Sequence, residues 1–271
     1  MAKKFSNRNE HTVVQLSKSD IRILIPDGYT KLKQKNPINE IQSIMKNESV
    51  AFQKIVDYSN EFVFVDKLVP GNELPSNEKD LIDGIHGFLS DEQGLIEVGI
   101  GYTKRGYRYI YSIVKTLDKD VMGSKYHLYM QLFNDKKRYD AVAVSGDFSE
   151  INTTGMRDSI GFDFARRAGL VDFGNENVFE GWNEDPYNPD YKKGALMNLS
   201  ERAGLDGVFP YHPLSQCREL IKSLISDKLV IIKKEDESKK EEKKEGVNEK
   251  EFMLKIFNNE VDRHTYDVEI L

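Results

Sequence analysis

Residues 94–168 hold four apolar-alternating segments joined by short turns, followed by a polar, helix-starting turn at 152–158. A parallel return between neighbouring strands needs a crossover of a dozen or more residues. Links this short therefore force the segments to pair antiparallel. In the first, Ile96, Val98, Ile100 and Tyr102 alternate with Glu97, Gly99 and Gly101, the pattern of a half-buried strand with a thinned outer face. Lys104, Arg105 and Gly106 make a hairpin turn. Residues 109–117 are apolar on both faces, as a central strand covered on both sides would be. Leu128, Met130 and Leu132 then alternate with His127, Tyr129 and Gln131, and residues 134–137 turn the chain into a last segment at 139–144.

Helical spacing occurs on either side of this meander. Ile41, Met45, Phe52, Ile55 and Val56 predict a helix over 39–58. Ser76 or Asn77 can cap a second over 78–90, with Glu78 and Asp80 in its first turn and Leu81, Ile82, Ile85, Phe88 and Leu89 as its inner face. A third, over 155–169, is capped by Thr153 or Thr154 and directs Met156, Ile160 and Phe164 inward. Pro213 suits the first position of a fourth, whose stripe is Leu214, Cys217, Ile221, Leu224 and Ile225. Short strands are expected at 21–25 and 62–65. The expected fold class is α+β: an antiparallel meander covered by helices on both faces, an α/β/α sandwich, with a loop-rich C-terminal extension.

The chain has 271 residues, enough for one large domain with appendages. Residues 1–19 are polar and unpatterned and read as a flexible terminus. Residues 20–232 form the globular domain, with an irregular region at 172–212. Residues 233–251 are a mixed-charge run too poor in apolar side chains to offset ordering entropy, and read as a linker. Residues 252–271 form a short tail of two strand-like pieces that could dock on this domain or on a partner.

A net charge of −6 argues against a general nucleic-acid surface, and Lys104, Arg105 and Arg108 read as solvated charges at a turn. Cys217 is the lone cysteine, which excludes an intrachain disulfide and a cysteine-based zinc cluster. The N-terminus lacks the apolar stretch of a signal peptide, and no run of about 20 apolar residues crosses a bilayer. A cytoplasmic protein is the expectation, with neither nucleic acid nor membrane as partner.

No motif of high specificity is present. Gly-x-Ser-x-Gly and His-Glu-x-x-His are missing, no histidines are paired at ligand spacing, and no Walker-type Lys-Ser/Thr pair follows the turn at 152–158. That turn sets Thr153, Thr154, Gly155 and Arg157 at a helix N-terminus, where free N–H groups favour an anion; the alternative is an ordinary cap with Asp158 filling the positive end. In the segment 180–190, Trp182, Glu184, Asp185, Tyr187 and Asp190, with Tyr191 following, suit a recognition surface, since aromatics dominate interface energetics. They equally suit a loop packed over a sheet edge. The carboxylates there could hold a hard cation, although the spacing fails the EF-hand template, and no metal or cofactor is expected. Cys217 belongs to an apolar stripe and reads as a buried, inert thiol.

The order from Phe62 to Ala168, strand, loop, helix, antiparallel strands and terminal helix, resembles the Mog1/PsbP-like sandwich. Gly146, Asp147 and Phe148 followed by the 153–158 turn, and residues 197–201 followed by 209–215, are similar to a group of proteins from low-GC Gram-positive bacteria, which brings no activity with it. The Mog1/PsbP-like resemblance implies a binding or assembly role. The expectation is thus a noncatalytic protein-binding or adaptor module working through 172–212, its partner another protein. The competing reading is a small-molecule or metal-assisted hydrolytic enzyme using Glu184, Asp185, Asp190 and Arg157. The oligomeric state stays open.

Overall fold

Five long strands pair consecutively or across one excursion to make most of one large sheet. In a computed structural model of the chain, residues 12–16, 19–32, 49–68, 75–118, 123–136, 140–171 and 181–232 are described. The charged run 233–251, the tail 252–271 and the first half of the helix expected at 39–58 lie outside them. Strands β1 (Thr12–Gln15), β2 (Ile21–Ile25) and β10 (Val230–Ile232) form a small sheet in the order β1-β2-β10. Strands β3 (Thr30–Lys31), β4 (Ser49–Val56), β5 (Ser59–Leu68), β6 (Gln93–Tyr102), β7 (Arg108–Asp118), β8 (Gly123–Phe133) and β9 (Ala141–Glu150) form a large one in the order β3-β4-β5-β9-β8-β7-β6. Every pairing is antiparallel. Among the described residues the α-helices are α1 (Glu78–His86), α2 (Met156–Arg167) and α3 (Pro213–Ile225).

The meander read from the short links is therefore present. Thr103 N donates to the Tyr107 carbonyl across the expected turn, where Gly106 takes a positive φ. Period-two alternation divides the large sheet into two faces. On one, Val63, Val65, Ile113, Tyr126, Leu128, Met130, Val142, Val144 and Phe148 form a single core with Leu214, Cys217, Ile221 and Leu224 of α3 and the inner residues of the small sheet. On the other, Ile110, Phe133 and Ala141 pack with Leu68, Ile100 and Leu81 of α1. Helices thus lie on both faces of an α+β sheet, although α1 covers only one end of its face. Tyr129, farther along, is exposed.

Three sequence expectations need correction. Residues 49–56 are strand, because a two-residue turn at Asp57 and Tyr58 pairs Val56 with Ser59 and brings Phe52 onto Val63 in the core. Helical spacing of Phe52, Ile55 and Val56 is overridden by that hairpin, and Ile55 is exposed. Residues 12–16 are not frayed: β1 pairs with β2 and buries Val14 and Leu16, a gain of about 1.5–3 kcal/mol per fully buried side chain. Finally, α2 is rotated from its expected orientation. Arg157, Gly161 and Ala165 face inward, while Met156, Ile160 and Phe164 are exposed. Gly161 is the reason, since a Cβ there would lie 2.5 Å from the Ser200 Cβ. Only the glycine face admits the turn Leu199–Glu201.

Other local signals match. The Asn77 side chain accepts from Asp80 N at 2.9 Å to cap α1, and Pro213 opens α3. The inner face expected for α1 is shallower than its pattern, for none of its residues is buried and Phe88 is 90% exposed. No helix among the described residues is long and apolar enough to cross a membrane.

Candidate functional site

Two features stand out, a closed cluster of charges beneath α2 and α3 and an open apolar groove beside α1. The cluster begins at Glu201, which is fully buried. Its carboxylate accepts from Lys115 Nζ at 2.8 Å, Tyr126 OH at 2.9 Å and Asn198 N at 2.8 Å. Arg157, 1% exposed, donates from Nε to the Ser200 carbonyl at 2.7 Å and from Nη1 to Ser215 Oγ at 2.8 Å. Its Nη2 reaches the Arg202 carbonyl and Asp206 Oδ1. Arg218 donates to Glu97 Oε2 at 2.6 Å, to Asp206 Oδ1 at 3.1 Å and to the Glu201 carbonyl at 2.8 Å. Two arginines and a lysine are thus balanced by Glu97, Glu201 and Asp206. Buried charges demand such pairing. Every cation of the cluster is engaged inside the protein.

That cluster decides the fate of the expected anion site. Arg157 is committed to four internal acceptors, and the N-terminal N–H of α2, at Gly155, is met at 3.2 Å by the carboxylate of Glu150. Gly155 itself occupies the cap position in a left-handed conformation, so neither Thr153 nor Thr154 caps the helix with its side chain. Asp158 turns toward Ser200 and Asn198 instead of the helix end. The place an anion would take is filled by the chain's own carboxylate.

The aromatic and acidic loop wraps the β6 edge of the large sheet. Ala195 N donates to the Gln93 carbonyl, and a Cβ on Gly94 would lie 1.7 Å from the Ala195 oxygen, so the loop lies flush on the strand. Tyr187 OH accepts from Val98 N at 2.7 Å, which satisfies an edge-strand donor. Asp185, 2% exposed, accepts from Tyr187 N and Asn188 N and meets His86 Nε2 at 2.8 Å. Tyr191 stacks on the His86 ring at 4.0 Å. Trp182 is buried edge-on against Phe162 at 5.1 Å, in a small cluster with Ala165 and Val171. Of the six residues expected to meet a partner, Trp182, Asp185 and Tyr187 thus work inward, Tyr191 is half-buried, and Glu184 and Asp190 are exposed. Packing over a sheet edge is what the aromatic content of the loop serves.

The loop also latches α1 in place, and α1 forms one wall of the groove. The groove encloses about 410 Å³ and is lined by Leu81, Ile85, Phe88, Leu89, Val114 and His127 among others. Asp80 is the acidic residue of its lining, and His127, also in the lining, bonds to Asp147 at 2.6 Å. That hydrogen bond holds the Asp147 carboxyl below its ordinary range. Sequence reasoning missed this site because its wall residues were assigned to a helix face turned wholly inward. The glycines at 84 and 87, which thin the helix beside the groove, were the signal available. A second cleft of about 330 Å³ lies where Lys115, Asp158, Asn183 and Asn198 meet Leu117 and Leu196. Among the described residues no group of three His, Cys, Asp or Glu side chains is arranged to hold a metal ion.

Burial raises several proton affinities. It drives the Tyr126 hydroxyl well above its ordinary value near 10, with the Glu201 charge adding to the shift, and acts likewise on Tyr29 beside Glu61. Tyr187 is pushed up to about 12, mainly by burial, and the buried Cys217 thiol rises from its ordinary 9.0. The unfolded chain releases these protons at ordinary values while the folded chain retains them. The stabilisation is complete below pH 9 and is lost as pH climbs toward 12. Melting followed by circular dichroism should therefore be flat at neutral pH and fall between pH 9 and 11. A melting temperature unchanged across that window would contradict the burial of these groups.

No family model matches the sequence, and no curated protein matches it. Among solved structures, the chain is similar to cyanobacterial PsbP (CyanoP) from Synechocystis sp. PCC 6803, at 16% identity and a TM-score of 0.31. That match covers 67% of this chain and 96% of the other. It is also similar to the Ran-binding protein Mog1p of Saccharomyces cerevisiae, at 12% identity and a TM-score of 0.32, covering 58% of this chain and 82% of that one. Both names are those suggested by the element order. At these scores neither neighbour transfers a site or a partner to this chain.

Proposed function

We propose that this protein is a noncatalytic protein-binding module of the cytoplasm that works through the apolar groove beside α1. The observation that carries this reading is Phe88, 90% exposed at a groove to which Leu81, Ile85, Leu89 and Val114 give apolar walls. A large apolar side chain held in water at a concave site is a cost that a bound partner removes. With Asp80 in the lining, the occupant that fits is an amphipathic segment of another protein that inserts an apolar side chain and sets a lysine or arginine beside it. The loop at 181–198 contributes mainly as the strap that holds α1, through the His86 contacts with Asp185 and Tyr191.

A hydrolytic role finds less support. Arg157 is enclosed, and Asp185 is used up by His86 and two backbone donors. The test is a photo-crosslinker at residue 88 in the full-length chain, in extract of the native cell, compared with one at the exposed Tyr102. A discrete adduct should form at 88 alone. Charge at the groove, introduced as Ile85→Asp with the crosslinker kept at 88, should reduce its yield about tenfold or more. Equal adducts at both positions, or a yield indifferent to Ile85→Asp, would remove the groove from consideration.

A further inference from the structure

Helix α2 is oriented against its own sequence pattern. Met156, Ile160 and Phe164, four residues apart along one ridge, are 40%, 36% and 45% exposed, while the adjacent Arg157 is enclosed. Single apolar residues on a surface are ordinary, but an i, i+4, i+8 ridge of large ones is the feature that packs helix against helix. We propose that α2 packs antiparallel on α2 of a second copy of this chain, about a two-fold axis at Ile160.

Two observations commit the ridge to a second copy. The first is its symmetry. Met156 and Phe164 stand four residues to either side of Ile160, so a two-fold axis there sets Ile160 on its own counterpart. The same axis brings each Met156 thioether against the Phe164 ring of the other copy. The second is charge. The C-terminal end of α2 carries the exposed Arg166 and Arg167, which share Asp163. The N-terminal end adjoins the β4–β5 turn, where Asn152 Nδ2 donates to the Asp57 carbonyl at 2.9 Å and Asp57 is exposed. At 1.5 Å per residue the arginines lie about 10 Å from the axis on one side, and this turn lies beyond the helix N-terminus on the other. Antiparallel pairing therefore turns the arginine end of each copy toward the end of the other that carries Asp57, twice. Leu170, exposed just beyond the helix, lengthens the apolar strip.

Sedimentation of the full-length chain over a micromolar concentration series tests the pairing. The wild type should be a dimer, and Ile160→Asp should weaken association by about 30-fold or more, because the substitution occurs twice at the interface centre. Arg167→Asp should weaken it as well, and Asp57→Arg in the same chain should restore it. Because Cys217 is buried, Ile160→Cys should give one disulfide-linked dimer on oxidation, reversed by reductant. A wild-type chain that stays monomeric throughout the series overturns the proposal. So does a dimer that survives Ile160→Asp and does not cross-link through Ile160→Cys.

Discussion

Arg157→Ala is expected to lower stability by about 3–5 kcal/mol, the usual cost of breaking a buried charge pair by removing one partner. The substitution deletes donors to the Ser200 and Arg202 carbonyls, to Ser215 Oγ and to Asp206 Oδ1. The bonds to the Ser200 carbonyl and to Ser215 Oγ are buried, so their loss is not readily made good by water. Asp206 Oδ2 is already buried without a hydrogen-bond partner, so the carboxylate would keep Arg218 as its remaining cation in the cluster, beside the Ser215 hydroxyl. For a domain of this size each kcal/mol moves the melting temperature by about 2–4 °C, so a drop of about 10 °C is expected. The same change at Arg166, whose side chain is half exposed, should have almost no effect. Equal melting temperatures for the Arg157 and Arg166 variants would mean that the cluster is not the keystone of the α2 and α3 contact.

Glu201→Ala is the second large effect. It strands the ammonium of Lys115, which is 3% exposed and would retain the Leu196 carbonyl as its remaining acceptor. It also frees the Tyr126 hydroxyl and the Asn198 N–H inside the protein. A loss of about 3–5 kcal/mol is expected from the unpaired cation. Replacing both partners, as Lys115→Met with Glu201→Leu, should recover much of it, because apolar groups of similar volume replace a pair whose desolvation was costly. Chemical denaturation of Lys115→Met, Glu201→Leu and the double variant measures the coupling. If the double variant were as unstable as the sum of the singles, Lys115 and Glu201 would not be acting as a pair.

The Glu201 cluster was invisible in the sequence for a physical reason. Its members come from β6, β7, β8, α2, α3 and the turn between the last two, and no spacing rule relates Lys115 to a residue 86 positions later. The same holds at Asp185, whose partner His86 is 99 residues away. Without those partners, an acidic segment with a tryptophan and two tyrosines has the composition of a recognition loop. Trp182 is inside because Phe162 meets it edge-on, and the sequence around Trp182 carries no trace of that neighbour. Helix α2 teaches the same lesson in reverse. Its apolar ridge is plain in the sequence, yet burial went to the face with Gly161, because Ser200 can approach the backbone only there.

What the sequence determined by itself was local. Short links made the sheet antiparallel, alternating side chains divided it into two faces, Asn77 and Pro213 opened their helices, and an apolar stripe buried Cys217. Each of these follows from contacts within a few residues or from the period of a single element. Tertiary structure alone decided which face of α2 turned inward, that 49–56 would pair as strand, and that the acidic loop would clasp the β6 edge. Those outcomes depend on whether a distant carboxylate, ring or backbone is present to satisfy a charge or fill a gap, and such partners are brought together only by the folded chain.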